Sequence, residues 1–120
     1  MRTWILAILL LFSVTVLARP PAQDARIDYL ITTLTDLTDA SFVRNGKEYD
    51  GQAAATHLRT KLRAAGERVQ TAEEFIATCA SASSMSGIKY QIHRGNGEFV
   101  DAQDFLRDAL SRYDREHAQP

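Results

Sequence analysis

The stretch Phe42-Val43-Arg44-Asn45-Gly46-Lys47-Glu48-Tyr49 sets two short strand-compatible pieces on either side of Asn-Gly. A two-residue hairpin turn needs positive φ at both central positions, and asparagine followed by glycine meets that need with little strain. The stretch therefore reads as a β-hairpin. It decides the fold class, because the segments on both sides of it are written in helical period. Before it, Ile27, Leu30, Ile31, Leu34 and Leu37 or Thr38 recur at spacings of three and four behind Asp24, a candidate N-cap. That pattern predicts an amphipathic helix ending near Asp39. After it, Asp50 can cap a second helix whose stripe is Ala54, Leu58, Leu62 and Ala65, closed by Gly66.

Farther along, Thr71-Ala72-Glu73-Glu74 fits a capping box, in which Thr71 accepts from the amide three residues on and Glu74 reaches back. The third helix carries Ala72, Phe75, Ile76, Cys79 and Ala80 on one face. It runs out in the segment 81–87, too rich in serine to favour continued helix. Ile88, Tyr90 and Ile92 then alternate with Lys89, Gln91 and His93, as in a half-buried strand. Gly95-Asn96-Gly97 predicts a turn. Asp101 is placed to cap a last helix carrying Ala102, Phe105, Leu106, Ala109, Leu110 and Tyr113. The predicted class is α+β, with about four helices and a small two- or three-stranded antiparallel sheet built from the hairpin and the strand at Ile88.

Composition limits the rest. The chain has 120 residues, 45% hydrophobic and 24% charged, with 14 Lys and Arg against 15 Asp and Glu. So short a chain supports one modest core and excludes a multidomain enzyme. Its interspersed charges argue against nucleic acid, which calls for a concentrated positive face. Arg2 precedes an apolar run from Trp4 to Leu17, and Val16-Leu17-Ala18 offers small residues where a signal peptidase cuts. Residues 1–18 thus read as a secretory signal peptide, with Ala22 as an alternative cleavage position. The run is shorter than the roughly 20 residues a membrane-crossing helix needs, so no permanent membrane span is expected after cleavage. No cysteine follows the run to take a lipid. Residues 19–23, with Pro20 and Pro21, read as a flexible lead, 24–116 as a single domain and 117–120 as a frayed tail. Cys79 is the one cysteine, which excludes a disulfide within the chain, and its helical spacing points to burial.

The strong catalytic and metal signatures are missing: no paired-cysteine motif, no His-Glu-x-x-His, no phosphate-cradling glycine loop and no nucleophile elbow. His57, His93 and His117 fall on three different predicted elements, so no metal site and no cofactor are predicted. His57 lies beside the apolar stripe of its helix, four residues before Lys61. A half-buried imidazole there can act as a base or a pH-sensitive contact, or simply bond to a backbone carbonyl. The serine cluster admits three readings. Its hydroxyls can cap the end of the third helix, or with the amides around Gly87 form a nest for an anion or peptide, or supply a nucleophile. Ser86-Gly87-Ile88-Lys89 has the bare Ser-x-x-Lys spacing, but Gly87 and the following strand should part the two side chains. Arg44 beside the turn can pair with a carboxylate of a partner or of its own chain.

Several of these segments, taken in order, resemble one family. They are Phe42-Val43-Arg44-Asn45-Gly46; His57-Leu58-Arg59 with Lys61; Thr71-Ala72-Glu73 with Phe75-Ile76; and Ser81, Ser83-Ser84, Ser86-Gly87 and Tyr90. Together, behind a signal peptide, they resemble the YfeK-like family of small exported bacterial proteins, a domain of unknown function. The resemblance implies a Gram-negative, periplasmic setting and brings no catalytic residues with it.

The expected function is a small binding or interaction module for an envelope protein, a peptide or another cell-envelope component. Its candidate surface combines Arg44, Asn45, His57, Lys61, Ser84, Ser86 and Tyr90. These groups offer hydrogen bonds without a recognisable catalytic set. The alternative is a small hydrolase using a serine of 81–86 with His57 as base, which requires hydrogen-bond reach between them. A purely structural role in the envelope is a third possibility.

Overall fold

The structure is a computed structural model and describes residues 18–118. The predicted signal peptide therefore lies outside the described residues but for its last position. Four helices and four strands follow one another as α1 (Pro21–Thr35), β1 (Ala40–Arg44), β2 (Lys47–Tyr49), α2 (Gly51–Ala65), α3 (Ala72–Cys79), β3 (Gln91–Arg94), β4 (Phe99–Asp101) and α4 (Ala102–Glu116). The class is α+β, as the hairpin between helical segments predicted. The sheet is antiparallel throughout, in the order β2-β1-β3-β4.

The hairpin turn is the one its sequence called for, with φ of 50° at Asn45 and 75° at Gly46. Register fixes which side chains face inward. Phe42 stands opposite Tyr49 on one side and Ile92 on the other, and Ile92 stands opposite Val100. Side chains alternate across a sheet, so these four share the inner face, while Ser41, Glu48, His93 and Phe99 share the outer one. The inner face meets α2 through β1 and α4 through β3 and β4. Helix α1 packs against all three other helices and buries Ile27, Leu30, Ile31 and Leu34, the positions its period predicted. Full burial of side chains this size contributes about 1.5–3 kcal/mol each before the entropy of ordering is subtracted.

The helix ends agree with the sequence in part. Asp50 caps α2 by accepting from the Ala53 amide at 2.8 Å, and Thr71 caps α3 by accepting from Glu74 at 3.0 Å. The Glu74 carboxylate meets the Thr71 hydroxyl at 3.3 Å, so the return bond goes to the side chain. Asp24 does not cap α1. The helix begins earlier, at Pro21, because a proline in the first turn lacks only an amide that has no helical partner there and arrives with helical φ. Part of the expected flexible lead is thus helix, and Asp24 instead pairs with Arg19 at 2.8 Å. Asp101 makes no capping bond either; its carboxylate is 3.4 Å from the Lys89 ammonium.

The strand expected from Ile88 starts at Gln91, and Ile88 itself is 54% exposed. Tyr90 and Ile92 are buried as predicted. Strand β4 was not predicted, being three residues long between a glycine turn and a helix. Three helices are tied at the surface by Arg26 of α1, whose guanidinium donates to Glu73 of α3 at 2.6 and 2.9 Å and to Asp114 of α4 at 2.9 and 3.1 Å. Those carboxylates raise the Arg26 pKa still further, and Arg26 in return lowers that of Glu73. Cys79 is buried, and burial pushes its thiol pKa up. Among the described residues no helix is long and apolar enough to cross a membrane.

Candidate functional site

Helix α2 carries His57 and Lys61 one turn apart, and the chain entering β3 brings Tyr90 beneath them. The Tyr90 ring is 1% exposed and rests on Phe42 with centroids 5.0 Å apart. Its hydroxyl lies 3.1 Å from His57 Nε2 and accepts from Lys61 Nζ at 3.0 Å. Lys61 also donates to the Ala82 carbonyl at 3.0 Å. Because an ammonium can only donate, the phenolic proton is free for His57 Nε2, and with that bond made Nδ1 carries the proton of the neutral ring.

Burial lowers the His57 pKa, and the charges of Arg44 and Lys61 lower it further. A histidine with a depressed folded pKa binds fewer protons folded than unfolded in the window just below about pH 6.5. Its contribution to stability is complete above that value and is lost as pH falls through it. Urea unfolding between about pH 7 and about pH 5 is expected to show a decline in stability that His57→Gln makes shallower. An unchanged slope in that variant would remove His57 as its source.

Arg44, on the inner face at the end of β1, and His57 line a groove of about 580 Å³ between the hairpin and the start of α2. Its walls include Phe42, Tyr49 and Ala53, and Asp50 is the carboxylate that lines it. That carboxylate is engaged by the Ala53 amide. Among the described residues neither Arg44 nor Lys61 has a carboxylate within ion-pair distance.

The remaining candidates sit differently. Ser86 Oγ donates to Asn45 Oδ1 at 2.7 Å and accepts from the Ile88 amide at 3.2 Å, tying the serine loop to the hairpin tip. Ser84 is exposed. Ser81 Oγ donates to the Ile76 carbonyl at 2.8 Å, which is the helix-end capping the cluster suggested. The nest reading fails, because its amides already have acceptors: Ser86 N–H donates to Ser83 Oγ, Gly87 N–H to Ser83 O and Ile88 N–H to Ser86 Oγ. Among the described residues no serine hydroxyl bonds to His57, whose Nε2 belongs to Tyr90. The Ser86 and Lys89 side chains part company as expected, Lys89 turning to Asp101.

One cluster escaped the sequence reading. On the outer sheet face Ser41 Oγ donates to Glu48 Oε1 at 2.7 Å, and His93 Nδ1 bonds to the same oxygen. Both bonds lower the Glu48 pKa. Phe99 stacks on the His93 ring with centroids 4.0 Å apart. Serine and imidazole share one carboxylate oxygen here, so the carboxylate stands between them and the arrangement is no relay from serine to base. Strand alternation placed these residues on one face, but only the register shows that they meet. Among the described residues no group of three or more His, Cys, Asp or Glu is placed to hold a metal ion.

Known proteins bear out the family that the ordered segments suggested. The chain is 41% identical over 68 residues to the Uncharacterized protein YfeK of Salmonella typhimurium. That stretch covers 57% of this chain and 57% of the relative, so the chain spans little more than half of the curated protein it matches. No solved structure matches it. The family description "Family of unknown function (DUF5329)" fits residues 21–114, which take in every helix from its first residue and all four strands, and the chain belongs to that family.

Proposed function

We propose that the protein is exported to the periplasm and works there as a small binding module. Its recognition site is the groove between the β1–β2 hairpin and α2, and its partner is an envelope protein or peptide. The observation that carries this reading is a concave surface whose Arg44 has no carboxylate partner among the described residues, beside a half-buried His57 bonded to Tyr90, whose hydroxyl also takes Lys61. Concave, partly apolar walls with a few convergent polar groups are what ligand sites offer. Export is supported by the apolar run behind Arg2 and the small residues ending at Ala18. Among the described residues the hydrolase alternative has no serine hydroxyl bonded to His57 to support it.

Gln52 lines the groove and is exposed, so it is the place for a photo-cross-linking side chain. In cells, that probe is expected to give a discrete adduct, which the same probe at the exposed Arg112 of α4 does not give. Adding Arg44→Glu should cut the yield about tenfold, as reversing a charge at the contact would. Equal yields at the two positions, or indifference to Arg44→Glu, would remove the groove as the recognition site.

A further inference from the structure

The groove lining carries Arg44 as its cation and Asp50 as its carboxylate, and the two are not paired with each other. Arg44 enters from β1. Lys61 lies behind His57, its ammonium donating to the Tyr90 hydroxyl and the Ala82 carbonyl, and among the described residues no carboxylate is within ion-pair distance of it. The Asp50 carboxylate accepts from the Ala53 amide in the first turn of α2. A guanidinium is a planar fork that matches a carboxylate with two parallel hydrogen bonds. Beside it the Tyr49 ring and Ala53 offer apolar surface over the buried Phe42.

Resting on the groove as the recognition site, we infer that it takes a carboxylate carried on an apolar body, the charge received by Arg44 and the body by the Tyr49 ring and Ala53. His57 then gains a second anion in front of it, held closer to Arg44 than the Asp50 carboxylate, which accepts from the Ala53 amide. The charged and titratable groups that face it are Arg44 from β1, Lys61 from its own helix, Tyr90 from the chain entering β3, and Tyr49 and Asp50 at the hairpin end. Burial and the charges of Arg44 and Lys61 keep the ring neutral; an anion at Arg44 offsets the second of these, so binding favours a second proton, on Nε2 of His57. Affinity accordingly falls as pH rises through the titration of the bound state.

The test is an amide and imidazole NMR titration of the purified protein with hexanoate, with hexanol and hexylamine as partners of equal length. Hexanoate is expected to shift Ala53, Arg44 and His57 saturably, and the alcohol and amine to leave them in place. Arg44→Gln, a partly exposed position that leaves the core untouched, should weaken hexanoate about tenfold or more. Binding should be tighter at about pH 5.5 than at about pH 8. N-acetyl-leucine separates two sources of the same chemistry: if it outbinds hexanoate the body is a peptide end, and if it does not the body is an acyl chain. Equal shifts from hexanol or hexylamine, no shift from hexanoate, or full affinity in Arg44→Gln would overturn the inference. If Gln52 still cross-links in an Arg44-dependent way while every carboxylate fails, the groove remains the site and the carboxylate alone is wrong.

Discussion

Gly51→Ala is expected to destabilise the protein by about 3 kcal/mol, although it puts a better helix former into the first turn of α2. A methyl group at Gly51 would stand 2.0 Å from the Leu34 carbonyl oxygen and 3.1 Å from the Thr35 oxygen, both backbone atoms of the last turn of α1. A backbone carbonyl cannot rotate aside as a side-chain tip can, so the two helices must separate. Leu34 is fully buried and α2 is anchored by the hairpin in front of it, so separation opens the core. The helix-propensity gain of alanine over glycine, about 1 kcal/mol, works in the opposite direction and loses. Urea unfolding checks the sign, with Gln52→Ala as the neighbour that also moves toward alanine, by a smaller propensity gain and without the contact, and should be near neutral or better. Against a typical total of about 5–15 kcal/mol, the Gly51 loss is a large fraction. An unchanged midpoint would mean that the α1–α2 spacing adjusts freely.

That contact also shows what could and could not be read in advance. Gly51 looked like the ordinary first residue of a capped helix, since nothing local says that another helix lies against its Cα. Features decided within one turn of chain were legible: Asn45-Gly46, the Asp50 and Thr71 caps, and the stripes of α1 through α4. Two local signals misled. Pro20-Pro21 reads as a breaker when taken alone, yet proline is favoured at a helix start. Asp101 reads as a cap, yet its carboxylate is drawn to Lys89 by the β3–β4 pairing. The site divides the same way. His57 and Lys61 are helical neighbours and could be paired from their spacing, whereas the placing of Tyr90 between them depends on how β3 docks against α2. Glu48 and His93 meet only because β1 sets its register against both β2 and β3.

Tyr90 is where core and site coincide, and replacing it in two ways separates them. Tyr90→Ala removes a side chain that is 1% exposed and packed on Phe42, and it also leaves the Lys61 ammonium with only the Ala82 carbonyl. Truncating a buried aromatic to alanine costs about 3–5 kcal/mol, so this variant should be at or near the edge of folding at room temperature. Tyr90→Phe keeps the ring, and with it the contact to Phe42 and the face beneath Lys61, whose Nζ is 4.9 Å from the centroid. It removes one oxygen that serves both Lys61 and His57. The loss expected is about 1–2 kcal/mol, because Lys61 is half-buried and keeps one acceptor while water reaches the His57 ring. Denaturant midpoints for the two variants against the parent give the packing share as the difference between them. A Tyr90→Phe protein as stable as the parent would show that the hydroxyl serves no structural end. The Lys61–Tyr90–His57 contact would then be kept for what binds in front of it, and the phenylalanine variant becomes the cleanest probe of the groove.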